Sequence, residues 1–224
     1  MLQHNAVPTD AHVDIPLAQA GSAVVTLSIK CDWGVGIGGH LWSCAMLMIR
    51  YMQQERELFS RILDGARVLE LGAGTGMLSL ASAALYDPRS IIITDQLSHI
   101  DICQHNVDRN SHNMFNKSLE IEARAFSWGD GNVPALISSD SAERGAASFD
   151  VVLGADLAYF SHLYQPLIAA LVDVVGPKTV VFLGVTKADT DPTFFRLLDE
   201  AGFRFYDMSS GADTANFTIF TIFR

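Results

Sequence analysis

The stretch Arg67-Val68-Leu69-Glu70-Leu71-Gly72-Ala73-Gly74-Thr75-Gly76 determines how the chain is expected to fold. Its first half, Arg67–Leu71, is a short apolar run typical of a buried strand, and the apolar segment Thr75–Tyr86 is predicted to be a helix. Glycines at such a junction let the backbone turn sharply and present bare amides to a ligand, because no Cβ atom is in the way. The stretch therefore predicts a strand, a ligand-binding turn and a helix, with a plain strand-to-helix turn as the alternative.

Strands and helices alternate along the rest of the chain. The further predicted strands are Ala23–Lys30, Ser90–Thr94, Leu119–Phe126, Phe149–Ala155, Thr179–Val185, Phe203–Tyr206 and Phe217–Phe223, and the further helices are Leu41–Leu58, Ser98–Asn110, His162–Val175 and Pro192–Ala201. This alternation predicts an α/β fold with right-handed crossovers. We expect a single Rossmann-like, doubly wound, mostly parallel seven-stranded sheet, with an antiparallel C-terminal strand and an N-terminal strand-helix extension.

The 224 residues suit one domain. Residues 1–20 show little periodicity and are expected to form a flexible N-terminal arm, so that residues 21–224 form the domain. Two other segments are expected to be loops. They are the glycine-rich Trp33–His40 and Gly131–Ser148, which is rich in Ser, Ala, Gly and acidic residues.

The composition limits the partners of the chain. The formal net charge is −10 and no cluster of Lys and Arg stands out, so we expect no nucleic-acid partner. An acidic chain suits a basic partner such as a lysine-bearing protein surface, although the charge could equally serve solubility. No apolar run reaches the roughly 18 to 20 residues that span a bilayer, and no signal peptide is expected. We expect a monomer with no membrane association.

Cysteines and histidines argue against a metal centre. Cys31, Cys44 and Cys103 lack CxxC spacing, which favours free thiols in a reducing, cytoplasmic setting, with the nucleus as the alternative location. The seven histidines lack metal-ligand spacing. The predicted helix surface accounts for His99, His105 and His112.

The glycine turn and the next strand together predict a nucleoside site. The turn is one residue shorter than the dinucleotide fingerprint, so it suits a nucleoside that carries an amino acid, with Glu70 able to face an ammonium group. Asp95 ends the next strand, 19 positions beyond Gly76, where a carboxylate can accept hydrogen bonds from both ribose hydroxyls. Asp95 could instead cap the following helix. An NAD-type ligand fits both features but not the length of the turn.

Two later strand ends carry further candidates. Trp128, in Ser127-Trp128-Gly129, could form one wall of an adenine pocket or simply pack in the core. In Gly154–Phe160, the small Gly154 and Ala155 would leave room for a cofactor, while Asp156 and Tyr159 could flank a nucleophilic amine. The alternative makes Asp156 a helix N-cap with Tyr159 packed under the helix.

These motifs resemble the seven-strand (class I) protein-lysine methyltransferases that modify non-histone proteins such as chaperones and translation factors, the methyltransferase-like 21 type. The resemblance runs from Trp33 to the C-terminus, and it is carried by Leu41-Trp42, Glu70–Gly76, Asn106–Asn110, Ser127–Gly129 and the Asp-x-x-Tyr signature Asp156–Tyr159. One departure is Ser43, which follows Trp42 where family members often have an acidic residue or Pro.

The resemblance implies a cofactor, a substrate and roles for particular residues. The cofactor would be S-adenosylmethionine, converted to S-adenosylhomocysteine, with no metal, and the substrate a lysine ε-amine of a protein. From the resemblance and the motifs above, the residues expected to bind the cofactor are Trp42, Glu70, Gly72, Ala73, Gly74, Asp95, Trp128 and Ala155. Asp156 and Tyr159 would border the lysine channel.

Two alternatives to lysine methylation stay open. The first is methylation of a base or another small amine, although such enzymes tend to use an Asn/Asp-Pro-Pro-aromatic turn and this chain has Leu157 and Ala158 in place of the prolines. The second is a catalytically silent domain that binds the cofactor and interacts with a partner.

Overall fold

The computed structural model describes residues 11–19, 23–130, 149–208 and 216–224. Its strands are β1 (Ala11–Ala18), β2 (Val24–Cys31), β3 (Arg67–Glu70), β4 (Ser90–Asp95), β5 (Glu120–Ala125), β6 (Val151–Ala155), β7 (Val180–Thr186), β8 (Arg204–Asp207) and β9 (Phe217–Phe223). Its helices are α1 (Ser43–Gln54), α2 (Arg56–Leu63), α3 (Met77–Leu85), α4 (Ile100–Asn110), α5 (Tyr164–Val174) and α6 (Pro192–Glu200). The loop predicted at Gly131–Ser148 lies outside the described residues.

A seven-stranded sheet with the order β5-β4-β3-β6-β7-β9-β8 forms the centre of the molecule. Strands β3 to β7 pair in parallel, whereas β9 pairs antiparallel with both β7 and β8. The predicted fold class is therefore confirmed. Because β4 and β6 flank β3 on opposite sides, the chain order reverses at β3, and a crevice opens there beyond the carboxyl ends of the strands.

Alternate residues of each strand feed two separate cores, one on each face of the sheet. Val68 of β3 packs with α1 to α4 and the β1–β2 hairpin, whereas its neighbour Leu69 packs with α5 and α6. All nine residues of α3 are buried, so the helix that follows the glycine turn is an interior element. The turn is thus fixed between a buried strand and a buried helix.

The expectation of a flexible arm is wrong for Ala11–Ala18, which pairs antiparallel with β2 as strand β1. The strand forms because Val13, Ile15 and Leu17 alternate with His12, Asp14 and Pro16, and Ile15 and Leu17 are buried in the core. Pro16 lies between them, as Pro is tolerated on an edge strand. Residues 1–10 and 20 lie outside the described residues, and the proposed boundary between arm and domain stays a prediction.

The predicted helix Leu41–Leu58 is in fact two helices. The backbone leaves helical geometry at Glu55, with φ −96° and ψ 41°, and α2 begins at the next residue. Phe59 and Leu63 of α2 are buried in the same core as Met48 of α1. The apolar spacing alone did not reveal the break, because residues on both sides of it pack against one core.

Two buried asparagines of α4 hold the β1–β2 hairpin against the domain. The Asn106 side chain accepts a hydrogen bond from the Lys30 amide (2.7 Å) and donates to the carbonyls of Lys30 (3.1 Å) and Thr75 (2.9 Å). Asn110 makes the same reciprocal pair with the backbone of Ser28, at 2.8 and 3.0 Å. Because the Thr75 carbonyl belongs to the glycine turn, Asn106 joins the hairpin, α4 and the turn.

Asn106→Asp is expected to destabilise the protein by about 3 kcal/mol, because a buried carboxylate oxygen would face the Lys30 and Thr75 carbonyls with no proton to donate. Urea unfolding measures the change. Asn113→Asp is the matched control, since Asn113 lies at a more exposed position and donates to the Thr26 carbonyl at 2.8 Å and, at 3.5 Å, to Asn110 Oδ1. It is expected to cost about 1 kcal/mol or less. Equal losses in the two variants would contradict the special role of Asn106.

Candidate functional site

A cleft of about 710 Å³ opens at the carboxyl ends of the parallel strands, within the range of about 300 to 1,000 Å³ typical of small-molecule sites. It is lined by every residue that was expected to bind the cofactor or to border the lysine channel: Trp42, Glu70, Gly72, Ala73, Gly74, Asp95, Trp128, Ala155, Asp156 and Tyr159. The fold therefore brings both predicted groups, the cofactor set and the lysine set, to one place.

The glycine turn requires residues without side chains. Gly72 and Gly74 both have a φ of +57°, in the left-handed region. A Cβ on Gly72 would lie 2.7 Å from Leu157 Cδ2 and 2.9 Å from Trp128 Cζ2. A Cβ on Gly74 would lie 2.6 Å from the carbonyl oxygen of Gly38. Backbone conformation and close packing thus both exclude side chains at these two positions.

Asp95 is hydrogen-bonded to the turn itself. The Gly74 amide donates to Asp95 Oδ2 at 2.7 Å, and the Gln96 amide donates to Oδ1 at 2.7 Å. The expectation that the turn offers bare amides to a ligand is therefore wrong for Gly74, whose amide is already paired with the strand end. A carboxylate has about four acceptor positions, so Asp95 can still accept hydrogen bonds from a ligand. The helix-cap alternative is not what the structure shows, because the short 3-10 turn after Gln96 has no side-chain cap.

Glu70 is a buried carboxyl in the wall of the cleft, with only 3% of its surface exposed. Its Oε2 accepts a hydrogen bond from the Ser79 amide in the first turns of α3, at 3.0 Å. Burial raises the pKa of Glu70 to about 8, and the charge of Asp95 adds to the shift, while the Ser79 bond opposes it. A cationic group placed beside Glu70 would favour the ionised carboxylate and gain a strong partner.

Two tryptophans, Trp42 and Trp128, line the cleft. Trp128 is half-buried, and the edge of its indole ring lies over Gly72. Trp42 is 41% exposed, and its indole N–H donates to the Ile37 carbonyl at 3.2 Å, which ties it to the segment before α1. Both rings are available for stacking on a planar group.

Asp156 has the only positive φ among the described non-glycine residues, +53°. Its amide donates to the Gly184 carbonyl at 2.9 Å, and its Oδ1 accepts from the amide (3.1 Å) and hydroxyl (2.7 Å) of Thr186 at the end of β7. The N-cap alternative is therefore wrong, since the carboxylate bonds β7 rather than the following helix. Burial raises the pKa of Asp156, although the Thr186 bonds oppose the shift. Strained backbone held by three hydrogen bonds is typical of a functional position.

Tyr159 lines the same end of the cleft. Its ring is half-buried and lies 4.6 Å, centroid to centroid, from that of Phe160, which is 51% exposed at the rim. Burial raises the pKa of the Tyr159 hydroxyl, and the charge of Asp95 adds to this effect. The hydroxyl therefore stays protonated at neutral pH, able to donate and to accept a hydrogen bond.

Gly154 is small for a reason that the sequence analysis did not foresee. A Cβ on Gly154 would lie 2.6 Å from Leu157 Cδ1, and Gly154 is absent from the lining of the cleft. Its size makes room for Leu157, which in turn packs over Gly72. The room left for a cofactor at this strand end comes from Ala155.

Some residues that line the cleft were not predicted from the sequence, and most of them lie in loops or at strand ends that are distant in sequence. They are Ile37, Gly38, Gln96, Thr186, Asp189 and Phe217. The assignment of His99 to a helix surface is wrong. His99 is buried, with only 8% of its surface exposed, and it lines the cleft. No local spacing indicated this, because Asp95 ends a strand and His99 lies in the short 3-10 turn that follows it. His105 and His112 are exposed as predicted.

Other kinds of site receive no support within the described ranges. No group of at least three His, Cys, Asp or Glu side chains there could hold a metal ion. No helix in the part of the chain that the structure describes has the length and apolar character needed to cross a membrane.

Comparisons with known proteins agree with this geometry. A family model described as lysine methyltransferase matches residues 22–201. The protein N-lysine methyltransferase METTL21A of Mus musculus is 26% identical, over 82% of this chain and 78% of that protein. The EEF1A lysine methyltransferase 3 of Xenopus tropicalis is 28% identical, over 66% of this chain and 58% of that protein. Among solved structures, a ribosomal protein L11 methylase from Lactobacillus delbrueckii subsp. bulgaricus has the same fold, with a TM-score of 0.53, 18% identity and coverage of 81% and 77%.

Glu70→Gln is expected to remove a pH dependence of stability. The unfolded carboxyl ionises near its ordinary pKa of 4.5, whereas the folded one ionises near about 8. The stabilising contribution of the neutral carboxyl is therefore complete below about pH 4.5 and is lost as the pH rises to about 8. Across this range the variant should gain a few kcal/mol in unfolding free energy relative to wild type.

Urea unfolding at several pH values, without ligand, measures this difference. Glu120→Gln, which changes an exposed carboxylate on β5, is the control. A difference between wild type and Glu70→Gln that stays constant from pH 5 to about 8 would contradict the assignment of Glu70 as a neutral buried acid.

Proposed function

The chain belongs to the lysine methyltransferase family, and from this premise we propose that it transfers a methyl group from S-adenosylmethionine to a lysine ε-amine of a non-histone protein. The observation that carries the proposal is that Asp156 and Tyr159 line the same cleft as the glycine turn and Asp95. A cofactor held by the turn would thus lie beside the residues proposed to receive the lysine.

The residues present fit this cofactor. Gly72, Ala73 and Gly74 line the cleft with no side chain larger than a methyl group. Glu70 would pair with the ammonium group, Asp95 would accept hydrogen bonds from the ribose hydroxyls, and Trp128 would stack on the adenine. When bound, S-adenosylmethionine supplies an electrophilic methyl group on a sulfonium that departs as a neutral thioether. The protein therefore needs to position the amine rather than activate a leaving group.

Asp156 and Tyr159 would capture and orient the lysine. The amine must lose its proton before it reacts, and a free lysine, with a pKa near about 10.4, is mostly protonated at neutral pH. A buried channel lowers that pKa, whereas a charged Asp156 would raise it. We therefore assign Asp156 to docking the ammonium through its free acceptor positions, with the proton released to solvent, and Tyr159 to holding the amine by its hydroxyl or its ring face.

We also propose that the substrate is a translation factor or a chaperone. One relative is named for lysine methylation of EEF1A, and a net charge of −10 favours approach by a basic protein surface. The same acidity disfavours a nucleic-acid substrate. We propose that the protein acts as a monomer in the cytoplasm or the nucleus.

Incubation with radiolabelled S-adenosylmethionine and a lysate from cells that lack the protein is expected to label a protein band on lysine. Gly72→Arg is the negative control, because a side chain there would collide with Leu157 and Trp128. Mass spectrometry of the band identifies the residue. Label on arginine or nucleic acid would contradict the lysine assignment, and cofactor binding without any label would favour the catalytically silent domain.

Asp156→Asn is expected to lower kcat/KM for the identified substrate about tenfold or more, because a charge-assisted contact to the amine is lost. Thr186 can still donate to the amide oxygen of Asn, so the backbone should keep its conformation. Tyr159→Phe is expected to cost about two- to tenfold. Steady-state kinetics measure both, with the S-adenosylhomocysteine affinity as the control. Unchanged kinetics in Asp156→Asn would remove Asp156 from the lysine channel.

A further inference from the structure

His99 contacts Asp95 with one side of its ring. Its Nδ1 lies 3.3 Å from Asp95 Oδ1 and 3.1 Å from Ser98 Oγ. Because a carboxylate only accepts hydrogen bonds, the Nδ1 of a neutral ring must carry the proton to bond Asp95, which leaves a lone pair on Nε2. That Nε2 is buried and has no hydrogen-bond partner within the described residues.

The other side of the ring contacts Gly38. A Cβ added to Gly38 would lie 2.6 Å from His99 Cδ2 and 2.7 Å from His99 Nε2, and its three nearest atoms all belong to this ring. On its opposite side, the Gly38 carbonyl oxygen closely approaches Gly74. Gly38 is thus held between the imidazole of His99 and the turn.

Gly38 belongs to a closed segment in the wall of the cleft, which we call the glycine strap (Trp33–His40). Its base is closed by a hydrogen bond from the Asp32 amide to the Gly39 carbonyl, at 3.0 Å. It contributes Ile37, Gly38 and His40 to the lining, and Trp42 bonds the Ile37 carbonyl. The position of Gly38 therefore sets where this wall of the cleft lies.

We propose that His99 is a positioning residue for the cofactor: it orients the Asp95 carboxylate for the ribose with Nδ1 and seats the glycine strap with the opposite ring edge. Ribose binding and strap position are then coupled through one side chain. The inference rests on the proposed function in one respect, that S-adenosylmethionine and its product bind in this cleft.

A double-mutant cycle with S-adenosylhomocysteine as the titrant in calorimetry tests the coupling. His99→Ala is expected to weaken binding about fivefold, because the 3.3 Å contact of Nδ1 with the Asp95 carboxylate is lost. Gly38→Ala is expected to weaken binding about tenfold or more, because the new Cβ collides with the ring and displaces the strap. In Gly38→Ala/His99→Ala the Cβ enters the space that the imidazole vacated, so the second change should cost almost nothing.

Two further variants separate this effect from general damage. Gly72→Ala is the control, because its Cβ would meet Leu157 and Trp128 rather than the glycine strap or His99, so its loss of affinity should be the same with and without His99→Ala. His99→Asn keeps an amide N–H that can donate to Asp95 but removes the ring edge. It should bind more tightly than His99→Ala and should also tolerate Ala at position 38, which keeps the test decisive if His99→Ala does not fold.

Thermal unfolding without ligand confirms that each variant is folded. Rescue of Gly38→Ala by either change at His99 supports the inference. An equal loss from Gly38→Ala in every background, or wild-type affinity in His99→Ala, would overturn it. Wild-type protein that binds no S-adenosylhomocysteine would instead contradict the proposed function, so the two failures are distinguishable.

Discussion

The hydrogen bond from the Gly74 amide to the Asp95 carboxylate, 2.7 Å long, is the interaction on which the cleft depends. It joins the turn after β3 to the end of the neighbouring strand β4, and it forms only because the two strands are parallel and adjacent. Left-handed backbone at Gly74 directs the amide to the carboxylate. Any side chain at Gly74 would also collide with the glycine strap. This one hydrogen bond therefore holds the glycine turn and the Asp95 carboxylate in place and sets the space above them in the cleft.

The cleft shields two carboxyl groups from water, since Glu70 is buried and Asp156 is half-buried. Burial raises the pKa of both Glu70 and Asp156. A desolvated carboxyl costs stability in the free protein, yet it binds a cation more strongly once one arrives, because little water competes for it. In the proposed function, Glu70 faces the ammonium group of the cofactor and Asp156 faces the lysine. Under this proposal, the burial that costs stability in the free protein also strengthens the binding of the cofactor and of the lysine.

The sequence predicted the central sheet and the selected lining residues because both follow from local pattern. Strand, glycine turn and helix are contiguous, and Asp95, Trp128 and Asp156 all follow predicted strands. It did not predict β1, whose alternation is interrupted by Pro16, or the burial of His99. The contact of His99 with Gly38 joins segments about 60 residues apart, and no periodicity in either segment encodes it. The sequence pattern indicates where each strand ends, but it does not indicate which loop packs over that strand end.

Calorimetric titration of wild-type protein and Asp95→Asn with S-adenosylhomocysteine tests whether Asp95 holds both the glycine turn and the cofactor. An amide at position 95 keeps the shape of the side chain but loses its charge and half of its acceptor capacity, so it cannot serve both the Gly74 amide and two ribose hydroxyls equally well. We expect wild type to bind one equivalent and the folded variant to lose at least about tenfold in affinity. Equal affinity in the two proteins, or no heat from the wild type, would contradict it.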